Sequence, residues 1–206
     1  MQLENVNRGM SYRPEFKEWV KEHPKAMAKA VRLIEKLAEL GSRSNGDASF
    51  EGDVRVTHMK QPFSDVFKVA VGPDTFFVKR DKERLNIPGV HTVGGQSEYS
   101  DSLLARNGLK DDPDIDVVDF KLGYTSKDPK NPIAYFVSTW EDLQTVGEYM
   151  RDPNLDPQEK LQIEQKIKKA QRLFAEFHDV DVTNMFYDPT TKKIKMFDLN
   201  MNPNFS

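Results

Sequence analysis

The chain has 206 residues, 37% hydrophobic and 31% charged, with no cysteine and a formal net charge of −3. The absence of cysteine excludes a disulfide framework, a thiol nucleophile and a Cys-ligated metal site. A mean hydropathy of −0.68 and short apolar runs argue against a membrane span. A pI near 5.9 argues against nucleic-acid binding. We expect no signal peptide at the N-terminus.

Helical periodicity predicts helices over the first forty residues, with Pro14 opening one and Pro24 starting or kinking a second that ends at Gly41. Residues 42–47 are predicted to be a flexible joint. The pattern then changes to alternating and β-branched residues, which is typical of strands. We expect strands at residues 53–58, 66–71, 75–78, 117–122 and 133–137, with a turn at 72–74 and a short helix at 96–107.

Helices are predicted again after residue 137. Thr139 is a weak capping signal for a segment that runs to about Met150, and Asp156 followed by Pro157 is a stronger one for a long amphipathic helix. Two short strands, 185–187 and 194–197, close the pattern. The fold class is therefore predicted to be α+β.

One stretch, residues 177–200, concentrates polar side chains between predicted elements. Asp179 and Asn184 lie five positions apart, after the long helix and before a short strand, and a second strand ends directly before Asp198. Because Mg²⁺ prefers oxygen ligands, such a loop and strand end can direct three oxygen side chains to one metal. The same spacing also arises by chance in a chain with many Asp and Asn residues.

This stretch resembles the catalytic segment of the protein-kinase-like superfamily, H-R-D-L-x-x-x-N followed by D-F-G. The resemblance implies that Asp179 is the catalytic aspartate, which accepts or orients the proton of the attacking hydroxyl. It also implies that Asn184 and Asp198 bind Mg²⁺ and that ATP is the phosphate donor. His178 stands in place of the motif arginine and Leu199 in place of its Phe.

Residues upstream extend the resemblance. The apolar run 75–79 ends in Lys79, as V-A-I-K does in the family, and Glu98 follows nineteen positions later in the predicted short helix. The family implies an ion pair in which Glu98 orients Lys79 toward the phosphates of ATP. Two ordinary interpretations stand beside it. Lys79 also fits a solvated strand end, and acids are favoured at any helix N-terminus.

The nucleotide contacts are less complete. Where the family has a glycine-rich loop, residues 59–65 contain no glycine, and the resemblance leaves only the backbone amides of Ser64 and Asp65 to face a phosphate. The connector 136–143 falls where the kinase hinge lies. Backbone groups around Ser138 are expected to contact adenine there, with Trp140 lining the pocket.

The chain stops eight residues after Asp198. It therefore resembles a minimal kinase with a truncated C-lobe, similar to some effector kinases that bacterial pathogens deliver into host cells. The resemblance implies an N-terminal helical extension at 1–46, an antiparallel-sheet N-lobe at 47–137 and a truncated helical C-lobe at 138–206. We expect a cytoplasmic protein, in the host cytoplasm if it is such an effector.

The function implied is an ATP- and Mg²⁺-dependent transfer of phosphate to a Ser/Thr-type hydroxyl. The expected partners are the nucleotide and a protein substrate or activating protein, with neither nucleic acid nor membrane. Three alternatives stay open. They are a pseudokinase with little turnover, a small-molecule kinase similar to aminoglycoside or choline kinases, and an unrelated α+β interaction module.

Overall fold

The computed structural model describes residues 10–39, 46–60, 65–82, 95–126, 133–178 and 180–201. The chain divides into two compact units. Unit 1 draws its described residues from Met1–Tyr99 and Asp119–Trp140, and unit 2 draws its described residues from Ser100–Val118 and Glu141–Ser206. The predicted boundaries at residues 46 and 137 remain predictions.

Helices and strands occur in both units. In chain order they are β1 (Met10–Tyr12), α1 (Pro14–Glu22), α2 (Pro24–Glu39), β2 (Ala48–Glu51), β3 (Val54–Lys60), β4 (Asp65–Val71), β5 (Asp74–Lys82), α3 (Gln96–Gly108), β6 (Ile115–Val117), β7 (Phe120–Thr125), β8 (Ile133–Thr139), α4 (Val146–Tyr149), α5 (Pro157–Leu173), β9 (Phe177–His178), β10 (Met185–Asp188), β11 (Lys193–Met196) and β12 (Asn200–Met201). None of these described helices is long and apolar enough to cross a membrane.

The described part of unit 1 is built on a seven-stranded antiparallel sheet in the order β1-β7-β8-β5-β4-β3-β2. The β4–β5 hairpin forms because its strands alternate β-branched and aromatic residues and meet at a turn where Gly72 has φ 55°. The alternation places Val69, Phe76 and Val78 on one face.

Helices α1 and α2 cover this apolar face. Their periodic apolar residues are buried against the sheet, and the buried side chains of α2 are Ala26, Ala30, Leu33, Ile34 and Leu37. At the hairpin end, Trp19 Nε1 donates a hydrogen bond of 2.8 Å to Asp74 Oδ2. The predicted pair of N-terminal helices is therefore confirmed, and most of its attachment to the sheet is apolar packing.

Two sequence interpretations of strands are corrected. Strand β1 was not expected, yet Met10 pairs with Tyr124 of β7 at the sheet edge. The predicted strand at 117–122 is two strands, because β6 pairs in parallel with β11 whereas β7 pairs with β8. The break falls at residues 118–119, between the end of β6 and the start of β7.

The described part of unit 2 contains a three-stranded sheet in the order β10-β11-β6 and a strand pair formed by β9 and β12. Asp156 caps α5 as predicted, since its carboxylate accepts hydrogen bonds from the backbone N–H groups of Gln158 and Glu159, and Pro157 is the first helical residue. The α5 N-terminus joins the β10–β11 hairpin through Glu159, which accepts hydrogen bonds from Tyr187 and Lys192.

The predicted cap at Thr139 is wrong. Thr139 is the last residue of β8 and pairs with Phe76. Thr145 caps α4 instead, in a capping box with Glu148. Strand pairing over the whole of β8 overrides the local capping signal.

The α+β prediction is confirmed. The described residues also follow the element order that the kinase resemblance implies. A hairpin carrying Lys79 is followed by a helix carrying Glu98, two paired strands, a long helix and a hairpin that ends two residues before Asp198.

Candidate functional site

Lys79 lies near the middle of the unit 1 sheet. Its strand, β5, is flanked by β4 and β8, and Lys79 pairs with Val66 on one side and Phe136 on the other. Strand alternation directs Lys79 to the face opposite Val78, away from the surface that α2 covers. Lys79 is 9% exposed, so its charge is largely removed from water.

Glu98 supplies the opposite charge. It lies in the first turn of α3 and is 1% exposed. Lys79 Nζ is 3.3 Å from Glu98 Oε2, which makes a buried ion pair within unit 1. Each charge is costly to bury alone, and the pairing compensates both. The structure thus brings together two of the predicted site residues.

Two glycines allow the start of α3 to approach β7. A Cβ on Gly123 would lie 2.4 Å from the Gly95 carbonyl oxygen and 2.5 Å from Tyr99 Cβ. Gly95 has φ 59°, and a Cβ there would meet the Tyr124 carbonyl oxygen. The turn is closed by the Tyr99 N–H, which donates to the Gly95 carbonyl at 3.0 Å. This contact sets the position of Glu98, and sequence reasoning missed it.

The predicted hinge residues lie at the end of β8. Ser138 is 4% exposed, and its Oγ donates to the Thr139 carbonyl at 3.3 Å. The Trp140 N–H donates to the Thr75 carbonyl at 3.0 Å, and Lys68 Nζ lies 4.4 Å from the centre of the Trp140 ring. Ser138 faces the same side of the sheet as Lys79, because it pairs with Phe77.

Asp65 and Ser64 were expected to face a phosphate. Asp65 is the first residue of β4, and its side chain lies on the α2 side of the sheet, 3.3 Å from Arg80 Nη1. His58 Nε2 lies 3.5 Å from the other Asp65 carboxylate oxygen. Ser64 lies outside the described residues, so its expected role stays a prediction.

Sequence reasoning overlooked Arg80. Its side chain is 1% exposed, and it holds Glu35 of α2 through two hydrogen bonds, of 2.8 Å from Nε and 2.6 Å from Nη2. Burial acts to lower the pKa of Arg80, but the hydrogen bonds and charges of Glu35 and Asp65 outweigh it and raise the pKa.

In unit 2, Asn184 and Asp198 lie on neighbouring segments. The register of β10 and β11 pairs Met185 with Met196, and one step further the Phe197 N–H donates to the Asn184 carbonyl at 3.2 Å. Asp198 follows directly and has φ 54°, a left-handed conformation that is uncommon outside glycine. Backbone outliers of this kind concentrate at functional sites. Asp179 lies outside the described residues.

The donor types at this place suit a hard cation. An Asn amide oxygen and an Asp carboxylate are ligands that Mg²⁺ accepts in proteins. Among the residues that the structure describes, no three His, Asp or Glu side chains group closely enough to hold a metal ion. Asn184 and Asp198 are the residues that could hold a metal here.

Comparisons with known proteins find similarity among solved structures. No protein-family model matches the chain, and no curated protein matches it. Among solved structures, the chain is similar to a MAP kinase from Leishmania major, with 16% identity and a TM-score of 0.41. The match covers 86% of this chain and 52% of that chain, so the chain spans about half the length of that kinase.

Proposed function

We propose that the chain is a kinase-like phosphotransferase that moves the γ-phosphoryl group of ATP to a hydroxyl group, with a protein Ser or Thr as the acceptor. The observation that carries the proposal is the buried ion pair between Lys79 and Glu98, 3.3 Å apart in unit 1. The proposed setting is the cytoplasm, with a protein substrate or activating protein as the partner.

A buried ion pair is weak evidence for a purely structural role. Apolar residues of the same size often stabilise a core as well or better, since they need no desolvation of charge. A lysine and a glutamate kept at 10% and 1% side-chain exposure are therefore candidates for a functional pair. Glu98 holds the Lys79 ammonium group in one place, and a fixed ammonium group suits the phosphate oxygens of a nucleotide.

The proposal assigns the remaining roles to unit 2. Asn184 and Asp198 hold Mg²⁺, which neutralises charge on the phosphates during transfer. Asp179 orients the acceptor hydroxyl and receives its proton.

A second candidate is a nucleotide-binding pseudokinase with little turnover. It is favoured by the sequence of residues 59–65, which contains no glycine to let the backbone approach the phosphates closely. The two candidates share nucleotide binding and differ in phosphate transfer.

Thermal denaturation with ATP and Mg²⁺ tests the shared part. A nucleotide at about 100 times its Kd stabilises the native state by about 2.7 kcal/mol, which corresponds to a rise in Tm of roughly 5–10 °C for a chain of this length. We expect this rise in the wild type, a smaller one in Lys79→Met, and loss of its Mg²⁺-dependent part in Asp198→Ala.

Lys21→Met is the matched control, because Lys21 lies on the surface of α1 and pairs only with the exposed Glu18 in the described structure. Its Tm rise with ATP should equal that of the wild type. An equal Mg²⁺-dependent rise in Asp198→Ala would remove the metal assignment. No rise in the wild type would remove both candidates.

A further inference from the structure

We propose that Arg80, which is held by Glu35 and Asp65, is a positioning residue that acts through Lys79. Through Arg80, the contact with helix α2 strengthens the binding of nucleotide. This inference rests on the proposed function, since it concerns the residue assigned to the phosphates. Its contacts lie entirely within unit 1.

The cluster forms a row across three adjacent strands. Arg80 of β5 pairs with Asp65 of β4 and with Tyr135 of β8, and all three side chains lie on the α2 side of the sheet. Glu35 of α2 completes the row. Glu35 accepts two hydrogen bonds from the Arg80 guanidinium group and a third from the Tyr135 hydroxyl.

This row lies on the face of the sheet opposite Lys79, in the same strand and its two neighbours. Lys79 precedes Arg80 in β5, and its cross-strand neighbours, Val66 and Phe136, each adjoin a member of the charged row. Consecutive residues of a strand point to opposite faces, so a twist of β5 at Arg80 also changes the direction of Lys79. The contacts of Arg80 with Glu35 and Asp65 therefore fix the β5 backbone next to Lys79. This backbone sets the direction in which the Lys79 ammonium group extends toward Glu98.

Attachment of α2 does not need a buried charge. Leu33, Ile34 and Leu37 already bury the helix in the apolar core. A second ion pair, between Arg32 and Glu51 of β2, ties α2 to the edge of the sheet with both partners partly exposed. A fully buried guanidinium group is a costly way to add to that attachment. The bidentate hydrogen bonds between Arg80 and Glu35 instead fix the orientation of the Arg80 side chain.

Asp65 also belongs to this row. It is the first residue of β4, and it accepts a hydrogen bond from Arg80 at 3.3 Å. Arg80 therefore anchors β5 and the first residue of β4 at once. Loss of Glu35 should weaken nucleotide binding through this anchor.

The test is a double-mutant cycle on the Kd for ATP with Mg²⁺, using Glu35→Gln and Lys79→Met. If the row acts through Lys79, Glu35→Gln weakens binding about fivefold in the wild-type background, within the usual range for coupling between linked sites. The same change has less than about a twofold effect when Lys79 is already Met, because coupled residues are not additive. An equal effect in both backgrounds, or none in either, overturns the inference.

Two control variants separate positioning from stability. Ile34→Val loosens the α2 core without touching a charge, and Glu51→Gln breaks the ion pair between Arg32 and Glu51. Both should lower Tm or leave it unchanged while the Kd for ATP stays at the wild-type value. A rise in Kd with Ile34→Val that matches Glu35→Gln at equal loss of Tm also overturns the inference.

The outcomes distinguish the two proposals. If the wild type binds ATP and Lys79→Met weakens that binding, the nucleotide-binding part of the proposed function stands whatever Glu35→Gln does. If the wild type binds no ATP, the proposed function fails and this inference fails with it.

Discussion

Lys79 of β5 and Glu98 of α3 form an ion pair with 3.3 Å between Nζ and Oε2, and both side chains are buried. The strand supplies the lysine because alternation directs it away from the apolar α2 face. The helix supplies the glutamate because Gly95 and Gly123 allow its first turn to approach the sheet. The ion pair therefore depends on strand alternation in β5 and on the close approach of α3 to the sheet.

Removal of one partner should cost more than removal of both. Glu98→Ala leaves the Lys79 ammonium buried without its carboxylate, and we expect a loss of about 3–5 kcal/mol in the free energy of unfolding. The double variant Lys79→Met, Glu98→Leu should lose less than Glu98→Ala alone. Urea denaturation measures both values. A double variant as unstable as the sum of the single variants would mean that the charges are not coupled.

Gly123→Ala should displace the start of α3. The added Cβ would lie 2.4 Å from the Gly95 carbonyl oxygen, and neither it nor the strand backbone can move aside without cost. We expect a lower Tm and weaker ATP binding, since Glu98 shifts away from Lys79. Gly108→Ala is the control in the same helix, because a Cβ there meets nothing within 4 Å. Wild-type Tm and Kd in Gly123→Ala would show that α3 is not held by this contact.

Asp198→Gly should separate stability from function. Glycine adopts φ 54° without strain, so we expect the free energy of unfolding to change by less than about 1 kcal/mol while Mg²⁺-dependent ATP binding is lost. Lys192→Gly is the matched control, since Lys192 has φ 59° in the β10–β11 turn and no proposed role in nucleotide binding. It should keep wild-type ATP binding. Retained Mg²⁺ dependence in Asp198→Gly would contradict the metal role.

Low pH should weaken the stabilising interaction within a charge cluster in unit 2. Lys169 Nζ lies 2.8 Å from carboxylate oxygens of both Asp112 and Asp114. Hydrogen bonds from Lys169 hold the pKa of Asp114 below its ordinary value. Burial acts to raise the pKa of Asp112, but hydrogen bonds from Lys169 and backbone N–H groups outweigh it and lower the pKa.

A carboxylate with a lowered pKa stabilises the fold above its unfolded pKa of about 3.9, and this contribution is lost as the pH falls through the folded value. Lys169→Met should therefore be less stable than the wild type at pH 7 and pH 5, and the difference should shrink below about pH 4. Urea denaturation from pH 7 to pH 3 measures it. A difference that stays constant or grows in acid would assign the effect of Lys169 to packing.

The sequence predicted features that depend on local chemistry. The β4–β5 hairpin follows from alternation around Gly72, and the start of α5 follows from Asp156 and Pro157. The pairing of Lys79 with Glu98 was accessible only through the family resemblance, because spacing alone gives no direction to either side chain.

The missed features depend on contacts that are distant in sequence. Glu35 and Arg80 are 45 positions apart, and only the docking of α2 on the sheet brings them together. The division between β6 and β7 is set by different partner strands. Periodicity identifies a buried face, but it does not identify the partner of that face.

The most direct test of the central claim is transfer of labelled phosphate from [γ-³²P]ATP with Mg²⁺ to the chain itself or to a mixed protein substrate. We predict transfer by the wild type and much less by Lys79→Met. Asp179→Asn should reduce transfer at least about a hundredfold, the lower end of the range for general-base catalysis. Wild-type binding of ATP without transfer would make the protein a pseudokinase. Equal transfer by all three proteins would contradict the assignment of the site.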